Sequence, residues 1–193
     1  MLAQSLGVAF AMGISPYATV FALGLAGRLG WIAELPPALE PVTQIWVLSI
    51  AGVLTAIEIT ATLVPGVASA WETVHSVVRP PAAALFAVLA AWGGSPAILV
   101  AAALLGGGLG LVTHLTKLGV RLAIDTSPEP VSNGGATVAE VGVAASVAIW
   151  VWSHPFLALG IALAFLVALA LLLRMLIRSM RKLWRTRTSS VAR

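Results

Sequence analysis

The chain contains no cysteine. That excludes disulfides, thiolate metal sites, iron–sulfur clusters and cysteine nucleophiles, and it leaves the redox compartment undetermined. Charge is nearly as scarce. Only 9% of residues are Asp, Glu, Lys or Arg, against about 25% in a soluble domain. Lys and Arg are also missing from Met1 to Leu6, so the positive n-region of a secretory signal is lacking and the first apolar run is expected to stay as a span. Hydrophobic residues make up 60% of the sequence and the mean hydropathy is +1.02. A chain this apolar cannot cover itself with a water-compatible surface, so it belongs in a bilayer. It reads as one transmembrane domain, 1–176, followed by a basic cytoplasmic tail, 177–193.

A crossing needs about 20 mostly apolar residues. The pattern predicts an all-α polytopic membrane protein of about six spans with broken or kinked helices. The first span covers roughly 5–29 and is interrupted at Ser15-Pro16-Tyr17, since proline removes a helical hydrogen bond and clashes with the turn before it. Glu34 to Pro41 is proline-rich and reads as a loop. The second span, roughly 44–64, carries Glu58, with Trp46 as an interfacial anchor. Pro65-Gly66 stops it. Residues 68–79 read as an amphipathic stretch too short and too polar to cross, and Pro80-Pro81 as the opening of a separate short run to Trp92. A fourth span starts near Ala97 and passes His114, Lys117 and Arg121. Residues 127–135 read as an irregular connector. The fifth and sixth spans cover about 136–152 and 156–173.

Seven of the eleven Lys and Arg residues lie from Arg174 onward, among them Arg178, Arg181, Lys182, Arg185 and Arg187. Beside a span, such a tail marks the cytoplasmic side rather than a nucleic-acid partner. Six spans then place both termini in the cytoplasm of a cell (inner) membrane. The tail also offers a surface for anionic lipid headgroups, and a homo-oligomer stays open as a further partner.

Ionisable groups at membrane depth are costly and mark function by default. Glu72, His75 and Arg79 sit at i, i+3 and i+7, and His114, Lys117 and Arg121 repeat that spacing. Each set lies on one helix face. Glu58 and Glu140 are the other acids within spans, and Asp125, Glu129 and Asn133 lie in the connector. Pairing of Arg79, Lys117 and Arg121 with Glu58, Glu72 and Glu140 is expected, because an unpaired charge in hydrocarbon costs several kcal/mol. These residues are candidates for a substrate or ion pathway in a small transporter or channel with a cytoplasm-facing polar cavity. The competing reading is a structural ion-pair network in a scaffold or anionic-lipid-binding protein.

Other chemistry finds little support. Glu72 and His75 have the Glu-x-x-His spacing of carboxylate-bridged metal sites, but such sites need a second copy. The glycines at 106–108 and 110 have no strand before them and no Gly-Lys-Ser/Thr after them, so they are not a nucleotide loop; close helix packing or a flexible break accounts for them. No signature joins a nucleophilic triad. No metal and no cofactor is expected. An offset of 97 pairs Gly13 with Gly110, Tyr17 with His114 and Thr19 with Thr116. This hints at an inverted 3+3 repeat in which each half opens with an interrupted helix, a transporter pattern.

Several stretches resemble the bacterial family called domain of unknown function 4126, a set of small multi-pass membrane proteins. They are Gly13 to Tyr17, Val64-Pro65-Gly66-Val67 through His75, Arg79-Pro80-Pro81-Ala82, and His114 through Ser127-Pro128-Glu129-Pro130 to Asn133. The resemblance implies a six-span-like membrane protein and supplies no activity. The family often has an Asp-Lys pair before the Pro-Gly and an Asp after it, where this chain has Ala61-Thr62 and Ala68.

Overall fold

A computed structural model describes the backbone of residues 1–64, 66–124 and 130–191. Side chains are described within those ranges except for 123–133, 169, 176 and those after 178. Every described element is helical: α1 (Leu2–Ile14), α2 (Pro16–Arg28), a 3₁₀ segment (Pro37–Thr43), α3 (Ile45–Thr62), α4 (Val67–Ala90), α5 (Pro96–Ile124), α6 (Pro130–Trp150) and α7 (Pro155–Val191). Four of these are long and apolar enough to cross a membrane: Ile45–Thr62, Val67–Ala90, Pro96–Leu122 and Pro155–Met175. Leu2–Ile14 and Gly134–Trp150 are shorter apolar helices. The protein is a polytopic helical membrane protein.

The interruption expected at Pro16 is present, but it is a reversal rather than a kink within one span. Pro16 has no N–H and drives the residue before it toward extended geometry, and Ser15 has φ −150° and ψ 100°. Gly7 lies against Val147 and Val151, and Gly13 against Gly110 and Thr113, so α1 runs from the α6–α7 turn into the middle of the bundle. The chain then comes back. Ser15 reaches Glu58, Gly52 packs on Phe21, and Gly24 packs on Val42 and Leu48. Gln4 and Trp31 to Glu34 consequently line one cavity together with Ile149, Trp152 and Ser153. The hairpin enters and leaves at the same end, and α3 to α7 then alternate in direction. Gly7 at the start of the buried part of α1 lies against Val151, whereas Leu173 of α7 lies against Gly119 of α5, toward the other end of the bundle.

From Gly7 to Ile14 every residue of α1 is buried. A helix apolar all round belongs in a core, and α1 is the axis on which α4, α5, α6 and α7 pack. The outer helices turn apolar side chains outward, including Val53, Leu104, Val112, Leu115 and Val167. These match a lipid surface rather than water.

Two boundaries drawn from proline were wrong. Pro80 and Pro81 lie inside α4, a 24-residue helix, so the stretch 68–79 and the run 80–92 form one element. The prolines remove two helical hydrogen bonds. Ending the helix in hydrocarbon would leave more backbone groups unsatisfied, so carrying it through costs less. Likewise α6 starts at Pro130, inside the segment expected to be irregular. Within the expected loop at 34–41, a 3₁₀ segment begins at Pro37 and buries Leu39 and Val42.

No interruption occurs at Gly106 to Gly110, because α5 is continuous there. The glycines instead let α4 and α5 pack closely as an antiparallel pair, with Gly106, Gly107 and Gly110 against Ala87, Ala84 and Ala83. A Cβ on Gly110 would collide with that of Ala83, whereas one on Gly108 meets nothing within 4 Å. Gly110→Ala is expected to destabilise the protein by about 1–3 kcal/mol through overpacking. Gly108→Ala should stabilise it by about 0.5–1 kcal/mol, because alanine is the better helix former. Thermal unfolding followed by tryptophan fluorescence separates the two. Equal effects would mean that the small-residue contact does not hold the hairpin.

Candidate functional site

The polar stripes of α4 and α5 face each other because the two helices run antiparallel. Glu72 meets Lys117, and Arg79 meets His114. Glu58 arrives from α3 and Glu140 from α6. All eight residues expected at membrane depth are brought together, and each is at most 4% exposed. Among the described residues they form one packed cluster. Asp125 and Glu129 lie outside the described residues, as does the side chain of Asn133.

Among the described residues, three carboxylates (Glu58, Glu72, Glu140) meet three cations (Arg79, Lys117, Arg121). Arg79 pairs with Glu58 at 2.7 Å and also with Glu72. Arg121 pairs with Glu140 at 2.7 Å. Lys117 bridges the two groups, with its Nζ 3.0 Å from Glu72, 3.4 Å from Glu140 and 3.7 Å from Glu58. Burying so many charges is tolerable only because each has opposite-sign partners and charge-assisted hydrogen bonds.

The tip of the α1–α2 hairpin enters this cluster. Ser15 caps α2 by accepting from the Ala18 N–H at 3.3 Å, and its hydroxyl donates to Glu58. Lys117 Nζ donates to the Ile14 carbonyl at 2.8 Å, satisfying an acceptor freed by the helix break. The dipoles agree with these charges: the acid stands at the positive N-terminus of α2 and the ammonium at the negative C-terminus of α1. Two residues after Ser15, the Tyr17 hydroxyl meets His75 Nε2 at 3.1 Å.

Hydrogen-bond partners set both histidine tautomers. His75 Nδ1 lies 2.7 Å from the Trp71 carbonyl, which can only accept. Nδ1 therefore carries the hydrogen and Nε2 accepts from Tyr17. The ring also stacks on Trp71 at a centroid distance of 4.4 Å. His114 Nδ1 lies 3.1 Å from Arg79 Nη1, which can only donate. Its Nε2–H therefore donates to Ser76 Oγ at 2.8 Å, and Ser76 donates to the Glu72 carbonyl at 3.2 Å.

Several members of the cluster were not among the expected residues. Thr137 accepts from Arg121 at 2.7 Å and donates to Thr62 at 3.0 Å, tying α6 to α3. Ser76 and the Ile14 carbonyl were also missed. Thr62 stands four residues after Glu58 and Thr137 three before Glu140, so helical spacing from a buried acid was the signal available for these two threonines. A backbone carbonyl leaves no such trace. Among the described residues, no group of His, Cys, Asp or Glu has the arrangement needed to hold a metal ion.

The sequence profile described as Domain of unknown function (DUF4126) matches residues 2–175. No curated protein and no solved structure matches the chain.

Proposed function

Because the chain belongs to the DUF4126 family, whose description assigns no activity, we propose from its own residues that it is a small membrane transporter or channel whose closed binding site is the Glu58–Glu72–Arg79–Lys117–Arg121–Glu140 cluster. One observation carries this reading: the tip of a broken helix pair ends on a charge-balanced cluster deep in the bundle. Discontinuous helices whose ends point at charged groups near mid-membrane are a recurrent way to hold substrates and ions. Non-helical backbone at that depth persists where protein buries it or where it lines a pathway.

The orientation follows from side-chain chemistry. Trp31, Trp46, Trp92 and Trp150 are all exposed and all lie at the end of the bundle that holds Gln4. They form an interfacial belt. Arg174 and Arg178 are exposed toward the other end, on α7. The excess of Lys and Arg there supports a cytoplasmic location for that end in a cell membrane. The chain then makes five crossings, α3 to α7, and α1–α2 dips in from the outer face. The cluster lies nearer the cytoplasmic side.

Flux measured in liposomes with pH- and voltage-sensitive dyes tests the reading. The native protein should conduct, and Arg121→Ala should lose conduction while remaining in the membrane, because Glu140 loses its closest cation. Native flux in that variant ends the proposal. A lack of flux across a broad ion panel favours the second reading, an anionic-lipid-binding scaffold, for which the exposed Arg174 and Arg178 are the supporting observation.

A further inference from the structure

Lys117 occupies an unusual position. It stands on α5, and its ammonium is surrounded by oxygens from four other helices: the Ile14 carbonyl of α1 at 2.8 Å, Glu72 of α4 at 3.0 Å, Glu140 of α6 at 3.4 Å and Glu58 of α3 at 3.7 Å. The lysine is 2% exposed. Its stem reaches across the bundle and presents a primary ammonium to a cage of three carboxylates and one helix-end carbonyl. Thr113 lies one helical turn before Lys117 on the same face and against Gly13. It is fully buried, and its hydroxyl has no hydrogen-bond partner.

From this geometry we infer that the cage is a cation site for a primary ammonium group, with Lys117 as its built-in occupant, and that the species recognised is an ammonium ion or the head of a small organic amine that displaces Lys117. This rests on the transport reading and names its substrate class. The N···O distances of 2.8 Å to the Ile14 carbonyl and 3.0 Å to Glu72 are hydrogen-bonding distances for an ammonium, and those of 3.4 and 3.7 Å to Glu140 and Glu58 are ion-pair separations. They are longer than the roughly 2.0–2.6 Å that oxygens keep to magnesium or calcium. Charge selects in the same direction. Among the described residues, removing Lys117 leaves three carboxylates with two guanidiniums, and an uncompensated buried charge is strongly destabilising. A free ammonium restores the balance and supplies the same N–H donors. A quaternary ammonium supplies the charge but no donor.

Chemical rescue tests this. Lys117→Ala leaves a vacancy the size of an alkylammonium, and Lys117→Met fills the stem but leaves the head position empty. Each variant is purified and its unfolding followed by tryptophan fluorescence in ammonium, n-propylammonium, tetramethylammonium or sodium chloride at equal ionic strength. Ammonium should raise the unfolding temperature of both variants by several degrees and n-propylammonium that of Lys117→Ala. Tetramethylammonium and sodium should leave both unchanged, and no salt should move the native protein comparably. Equal shifts in all four salts, or none, overturn the assignment, as does failure of both variants to fold even with ammonium present throughout. Uptake by liposomes carrying native protein separates the sources. Uptake of methylammonium without n-propylammonium identifies the inorganic ion, and the reverse identifies an organic amine. Rescue without uptake of either keeps the site and removes the transport reading. Flux of some other ion without rescue keeps transport and removes this site.

Discussion

Arg79→Met lowers the stability of the protein by about 3–5 kcal/mol, the usual consequence of removing one partner from a buried ion pair. The side chain is fully buried and holds both Glu58 and Glu72. Its loss leaves three carboxylates facing Lys117 and Arg121, and His114 loses the donor at its Nδ1. Because the penalty comes from uncompensated charge, a second substitution should recover most of it. In Arg79→Met/Glu72→Gln, two carboxylates again meet two cations, and methionine fills the volume of the arginine stem. The measurement is the unfolding temperature and the monodisperse yield after extraction of the native protein, the single variant and the double variant. If the double variant is no more stable than the single one, the cluster is not held by charge balance, and packing around Arg79 is the larger contribution.

Single-cysteine labelling gives the other large effect, and it is all-or-none. The chain has no cysteine of its own, so each introduced thiol reports without background. Leu2 and Arg178 are both exposed. If α1 and α2 form a hairpin that enters and leaves by one face, Leu2→Cys and Arg178→Cys react with an impermeant maleimide from opposite sides of the membrane. Trp31→Cys reacts from the same side as Leu2→Cys. Labelling of Leu2→Cys and Arg178→Cys from one side would restore the six-crossing arrangement, with residues 5–29 as a complete span. The physical reason to expect the hairpin is length. A 13-residue α1 rises roughly 20 Å, short of a hydrocarbon core of about 30 Å. The carbonyl of its last residue, Ile14, takes its hydrogen bond from the ammonium of Lys117 inside the bundle.

Spacing along each helix made part of the cluster legible. Glu72, His75 and Arg79 fall on one face of α4, and His114, Lys117 and Arg121 on one face of α5, whatever the tertiary structure, because a helix turns about 100° per residue. That the faces carry charge inside apolar helices already required partners. Which carboxylate meets which cation was not legible, since that depends on how α3 and α6 lie against the hairpin. Ser15 was read as a place where the helix breaks. Its bond to Glu58, 43 residues away in sequence, is a tertiary fact.

Proline misled where it had been treated as a boundary. At Pro16 the break is real because Ser15 finds a capping role and Glu58 as a partner. At Pro80 and Pro81 the helix continues, because an apolar environment penalises open backbone more than it penalises a missing N–H, and Pro130 takes the first position of α6, where no intrahelical N–H bond is lost. The glycines of α5 were ambiguous for a related reason. A glycine run weakens a helix in isolation, yet here it is what allows Ala83, Ala84 and Ala87 to approach closely.

Composition by itself determined that this protein lives in a membrane as helices, since 60% hydrophobic residues with 9% charge leave no other stable solvent for it. Helical periodicity determined that its few buried charges would lie in stripes. Only the tertiary structure decided that the first apolar run turns back on itself, that three acids and three bases of the described residues close into one cluster, and that Lys117 bridges its carboxylates. Those outcomes depend on contacts between residues far apart in the chain, where desolvation leaves each charge no stable choice except the partners that packing brings to it.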